Sequence, residues 1–382
     1  MQYRGFGTNS NEIWKIALTP VLAIGLCLGV AIKAFAAESL AFRLGLLAGI
    51  SSNKNISAYY EERDYAPIWF DSSIESAARR AALLEALDAV SLHALPERKY
   101  GRDALVEGLN TARTAIELGA LEAMFTRAYL SYANDVHSGL LKPSNVDELI
   151  ARKTIYRSVE DYLSGASSQD AVDYIVTLSP QTLEYNNLLS ARQKLLQVVK
   201  MGGWGKIVPP GMYRLGDSGA NIVTLRNRLI EMNYMARSVS GVFDEELRKA
   251  VKAFQTDHGL LSDGIAGTGT IDEMNKSVFD RLKSVTVALE RERWMSRLYA
   301  TEDFQATRSI LVNLTDFSAK ILDDGIVTFK TRTVIGAEED NQRSPEFSDV
   351  MEHMVINPSW YVPRSITVDE YLPDLQEDPT SH

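Results

Sequence analysis

The stretch GVFDEELRKAVKAFQTDHGLLSDGIAGTGT, Gly241–Thr270, sets the organisation of the chain. Leu247, Val251 and Phe254 recur at steps of four and three, which predicts a short helix with one buried face. Asp244 stands where an N-cap belongs, and Glu245 and Glu246 fall in the first turn, where the helix dipole favours negative charge. SDG and AGTG then supply turns, and Thr270 followed by Glu273 has the spacing of a capping box for a further helix. Upstream, Ile222, Leu225, Leu229 and Met232 form a second apolar stripe. Three short helices are therefore expected to make a small domain over residues 206–283.

The flanks differ on the two sides. GGWGKIVPPG, Gly202–Gly211, breaks any helix and reads as a linker. Before it, residues 37–205 carry long helical patterns. Leu118, Leu121, Phe125, Ala128 and Tyr132 share one face, as do Leu83, Leu84, Leu87 and Val90, and a third long helix is expected over Leu183–Val199 after Pro180. His93 and His137 stand alone in this region and read as surface or core residues rather than ligands. After Ser284 comes one more amphipathic segment, VTVALERERWMSRL, and then β-branched stretches. SILVNLTD and GIVTFKTRTVIG flank DDG, Asp323–Gly325, which predicts a hairpin, and HMVINPSWYVP adds an extended run limited by Pro358 and Pro363. The expected fold class is α+β multidomain.

Composition narrows the function classes. The 382 residues carry a net charge of −10, which opposes nucleic-acid binding and a grip on anionic lipid. The one cysteine, Cys27, has neither a disulfide partner nor a metal-site companion, and its apolar setting disfavours the thiolate. No cofactor and no metal site are expected. Arg4 and Lys15 precede the apolar run Ile16–Ile32, and AFA at Ala34–Ala36 offers small residues to a signal peptidase. Residues 1–36 therefore read as a cleaved signal or a retained inner-membrane anchor, and either places the protein in the periplasm.

The ordered set Gly241-Val-Phe-Asp244, Ala250-Val-Lys-Ala-Phe-Gln255, Gly259-Leu260, Asp263-Gly264 and Thr270 resembles the peptidoglycan-binding module of many wall enzymes. In order along the chain come YYEERDYAPIWF at 59–70, GGW at 202–204, LGDSG and VTLRNRL within 215–229, ERERWM at 290–295 and NPSWYVPRSI at 357–366. Together they resemble the large exported L,D-transpeptidases of Gram-negative bacteria. The resemblance implies a helical scaffold domain, a peptidoglycan-binding domain, and a β-rich catalytic domain with an inserted capping segment, which would occupy residues 284–382. It also implies cysteine acyl transfer: a thiolate attacks the stem peptide at diaminopimelate, D-alanine leaves, and a neighbouring amine takes the acyl group in a 3→3 cross-link.

The family's H-G-T and S-H-G-C-x-R pattern does not occur in this sequence, and no Cys follows Cys27. His353 and His382 have no thiol to serve. The expectation is a chain truncated before the nucleophile segment and inactive as it stands, with no catalytic residue to name; the alternatives are a non-catalytic peptidoglycan-binding scaffold and a degraded reading frame. SSNK at Ser51–Lys54 fits S-x-x-K but lacks its companion motifs. The expected partner is peptidoglycan, through glycan strands and stem peptides. Asp244 is either a cap or a glycan ligand, and Asp263 either a turn former or a ligand. Gln255 is read as facing a shallow polar groove. Trp360 and Tyr361 either line the stem-peptide cleft or cover a sheet edge.

Overall fold

A computed structural model describes residues 40–151, 154–295, 308–337 and 342–381. The apolar run Ile16–Ile32, Cys27 and the AFA site lie outside them. Among the described residues, no helix is long and apolar enough to cross a membrane. The architecture is mixed α+β, mostly helical, with one small antiparallel sheet.

The helical region contains α1 (Leu40–Ile50), α2 (Lys54–Glu62), α3 (Ile74–Asp88), α4 (Arg102–Thr111), α5 (Ala115–Ser138), α6 (Pro143–Val146), α7 (Val159–Ser167), α8 (Ala171–Val176) and α9 (Leu183–Lys200). The longest, α5, starts at a capping box: Thr114 accepts from the Glu117 amide at 3.3 Å, and the Glu117 carboxylate accepts from the Thr114 amide at 2.9 Å. All five residues of its predicted stripe are buried. Helix α1 lies backbone-close against it because both carry glycine at the crossing. A Cβ at Gly45 would run into the Ile116 carbonyl oxygen, and one at Gly119 into that of Phe42.

One buried carboxylate ties the YAPIWF loop to this core. Glu122, on α5, accepts from the Tyr60 hydroxyl and the Ile68 amide, both at 2.7 Å, and from the Trp69 and Phe70 amides at 3.1 and 3.0 Å. The indole of Trp69 donates to Thr126 at 3.1 Å, so the loop's largest side chain is also anchored on α5. Loop amides that face a core need acceptors there, and Glu122 provides them.

Helices α10 (Ala220–Glu231), α11 (Glu245–Asp257) and α12 (Thr268–Asn275) form a second, separate core with Val208, Tyr213 and Phe243. The next helix, α13 (Val278–Met295), is continuous across residues 283 and 284, where a domain change was expected. It belongs in space to the helical region, packing along α9 and against α5. Arg293 is 1% exposed and pairs with Glu290 at 2.7 Å, while Glu290 also accepts from the Leu141 amide at 2.8 Å. His93 packs beside them, 2.9 Å from the Tyr185 hydroxyl, and burial together with the Arg293 charge pushes its pKa down to about 4. His137 is fully buried against Tyr162.

The β-region holds β1 (Arg308–Asn313), β2 (Ser318–Asp323) and β3 (Ile326–Arg332) in the order β1-β2-β3. The DDG hairpin forms as predicted: Asp324 and Gly325 have φ of 48° and 77°, the two left-handed residues of a type I′ turn. Every residue of β3 is exposed. The run HMVINPSWYVP forms no strand; it is exposed except at the half-buried Val362 and pairs with no ladder. Its two prolines lack the amide that a ladder needs. What ties residues 343–346 down is the helical region: the Ala151 amide donates to the Glu346 carbonyl at 2.9 Å, the Glu346 amide donates to the Leu149 carbonyl at 2.8 Å, and Arg343 pairs with Asp147 at 2.5 Å.

Candidate functional site

The best-formed unit bearing on function is the three-helix module. Its helices are short, so the turns between them fix their packing, and the turn residues are where the sequence signal lies. Ile222, Leu225 and Leu229 of α10 meet Leu247, Val251 and Phe254 of α11 in the core, all at 1% exposure or less. Tyr213 and Ala266 exchange two backbone bonds at 3.0 and 2.9 Å, so the chain entering the module is stitched to the turn before α12. Asn275 clamps Val208 from both sides, accepting from its amide and donating to its carbonyl, each at 2.8 Å.

Asp244 caps α11 by accepting from the Leu247 amide at 2.9 Å. Its other carboxylate oxygen meets Arg226 at 2.7 Å, and Arg226, 1% exposed, also donates to the Val242 carbonyl at 2.7 Å. The Leu247 amide, joined by Arg226, holds the Asp244 carboxyl below its ordinary range. Both oxygens are therefore used inside the module.

Gln255 does not face a groove. It is 2% exposed, and its amide nitrogen reaches the Asp263 carboxylate and the Ile265 carbonyl at 2.9 Å and the Thr270 hydroxyl at 3.1 Å. Its carbonyl accepts from the Gly264 amide at 2.9 Å. The expectation of a sugar-facing amide came from its place beside Phe254. In the structure it instead staples the SDG turn to α12, because the turn's inward polar groups require a partner. Asp263 sits at the outer rim of that staple, accepting from the Ile265 amide at 2.8 Å, and that bond lowers its pKa. Thr270 is likewise inside: α12 begins at Thr268 after Gly267, with no side-chain cap, so the predicted capping box does not form. Glu273 instead pairs with Arg281 and Lys276, each at 2.6 Å.

This core and its stapled turns can be compared with known modules. Residues 218–274 match a family described as a putative peptidoglycan-binding domain. The peptidoglycan-binding domain accordingly holds α10, α11 and α12. Residues 54–191 match a family described as a scaffold domain, and a scaffold domain followed by a peptidoglycan-binding domain fits the L,D-transpeptidase architecture, with no match to its catalytic domain. No curated protein matches the chain.

The other candidate residues lie elsewhere. Trp360 and Tyr361 are 65% and 89% exposed on the unpaired run, and they are not brought together with Asp244, Gln255 or Asp263. Among the described residues, no group of three His, Cys, Asp or Glu side chains is gathered as a metal site. Two residues quoted only as parts of longer motifs have roles that the sequence did not show. Arg226 looks like a surface arginine of α10 until Asp244 is seen beside it. Trp204 reads as part of a linker, yet it is partly buried against Arg228 of α10 with the guanidinium 5.5 Å from its ring.

Proposed function

We propose that this protein is an exported, periplasmic peptidoglycan-binding protein of L,D-transpeptidase lineage, in which the domain at 218–274 holds the chain on the wall polymer. One observation carries the wall-binding part: the matched module has a closed core of its own and turns stapled by Gln255 and Asp244, so it is a formed domain and not a motif scattered over a surface. The order of scaffold and binding domains, followed by a β-region beginning at Arg308, supports the lineage. The apolar run Ile16–Ile32 and the AFA site support export.

Within these 382 residues the protein acts by binding rather than by acyl transfer. The family chemistry needs a thiolate, and the single thiol here, Cys27, sits in the apolar N-terminal run. A wall tether raises the local concentration of whatever it carries at the polymer. The test is co-sedimentation of the purified chain with isolated sacculi, paired with a muropeptide cross-linking assay. Pelleting without cross-linked product is expected. A chain that stays in the supernatant would remove the wall-binding claim, and a 3→3 dimer made by this chain would overturn its assignment as a binding protein.

A further inference from the structure

Between the end of α9 and the outer face of α10 lies an open cavity of about 620 Å³, within the range of small-ligand sites. Its walls include Trp204 and Lys206 from the GGWGK segment and Thr224, Asn227, Arg228 and Glu231 from α10. We infer that this groove is a subsite for the glycan strand of peptidoglycan, taking an N-acetylated sugar bearing an acidic substituent. The inference rests on the wall-binding function proposed above and gives it a location.

The sequence builds the groove deliberately at the backbone level. Gly203 and Gly205 flank Trp204 with φ of 86° and 72°, a conformation that other residues adopt only at a cost, and open space surrounds both positions. Glycine is thus required there by the path of the chain and not by crowding. The path it permits turns Trp204 back onto α10, where the ring is held by the Arg228 guanidinium. Arg228 is itself fixed: its guanidinium donates to the Met274 carbonyl at 2.9 and 3.2 Å and to the Gly205 carbonyl at 3.3 Å.

The chemistry of the walls fits an N-acetylated sugar that carries an acidic peptide. An indole offers a flat apolar surface with a polar edge, the kind of surface on which the C–H face of a pyranose stacks. Asn227 is exposed and carries both donor and acceptor, the pair that an acetamido group needs. Arg228 is 4% exposed and, among the described residues, has carbonyl acceptors but no carboxylate partner, so its charge is not neutralised locally. That charge and the exposed Lys206 give part of the groove a positive potential inside a protein of net charge −10. Glu231 at the other end supplies an acceptor for sugar hydroxyls. An acidic protein that keeps a positive groove beside an aromatic ring is suited to a sugar whose attached peptide bears carboxylates.

The experiment is a titration of the full chain with a soluble disaccharide-peptide muropeptide, alongside co-sedimentation with sacculi. Variants are Trp204→Ala, Asn227→Ala and Lys206→Glu, with Trp204→Phe as the conservative control. Loss of the ring or of the amide is expected to weaken muropeptide binding by about tenfold or more, the effect of a central contact at an interface. Lys206→Glu is expected to weaken the acidic muropeptide more than an analogue whose peptide carboxylates are amidated. Trp204→Phe should retain most of the affinity. Asn227 and Lys206 are exposed, so those two variants keep the test valid should Trp204→Ala unfold the linker. Sacculi binding by the parent chain with unchanged affinity in the Asn227 and Lys206 variants overturns the groove assignment alone. Failure of the parent chain to bind sacculi overturns the groove and the wall-binding function together.

Discussion

Replacing Gln255 separates a structural amide from a ligand contact, because the two roles predict opposite readouts. Gln255→Ala removes the acceptor of the buried Gly264 amide and the donor to Thr270, Ile265 and Asp263. An orphaned buried donor costs about 1–3 kcal/mol, and the two hydrogens of the lost amide nitrogen, shared among its three acceptors, account for two net bonds of about 1 kcal/mol each, giving roughly 3–5 kcal/mol in all. A domain of this size is stable by only a few kcal/mol, at roughly 0.05–0.15 kcal/mol per residue. The substitution is therefore expected to unfold much of the module at ambient temperature. Gln255→Glu sharpens the case: its carboxylate would face that of Asp263 across a site now spanned by 2.9 Å, so the loss should be greater at neutral pH and partly reversed in acid. Urea denaturation of the full chain, followed by far-UV circular dichroism, measures the change, and sacculi pelleting is run on the same samples. A Gln255→Ala protein with an unchanged urea midpoint but weakened sacculi binding would refute the staple and restore Gln255 as a ligand contact.

Two further predictions concern buried charge. Asp244→Ala removes an N-cap, worth about 1 kcal/mol, and strips the buried Arg226 of its carboxylate, for a combined loss of roughly 2–4 kcal/mol by thermal melt. The Asp244 carboxyl is held below its ordinary value in the folded state, so its contribution is present above pH 3.8 and is lost as pH falls through the folded value; Asp244→Asn should lack that acid-side loss. Glu122 runs the other way. Burial outweighs its four donors and pushes its pKa from the ordinary 4.5 up to about 7, so the folded state holds its proton more tightly than the unfolded one. Stability of the helical region is then expected to fall by an amount on the order of 3 kcal/mol as pH rises from 4.5 to about 7. Urea midpoints at pH 5 and pH 8 should differ for the parent chain and differ much less for Glu122→Gln; equal slopes would sink the argument.

Periodic features were legible in the sequence. The stripe of α5, the start of α9 after Pro180, the Asp244 cap and the DDG hairpin all depend on neighbours within a few residues, which is the range over which helical and strand periodicity operate. The local rule failed at Thr270, where the spacing of a capping box was present but Gln255 already held the hydroxyl. A local motif describes what a side chain is able to do, and competition from another element decides what it does.

By itself, the amino-acid sequence determined the order of helical region, three-helix module and β-region, a net charge unsuited to nucleic acid, and the presence of a single thiol. Tertiary structure alone decided the rest. It showed that α13 joins the helical region through Glu290 and Arg293, that Gln255 is an internal staple, and that Trp204 is held by Arg228 beside a groove. Each of these depends on groups far apart in the chain meeting in space. Periodicity marks which face of an element is buried, but the partner of a buried polar group is fixed only when the elements pack and its hydrogen bonds must be made.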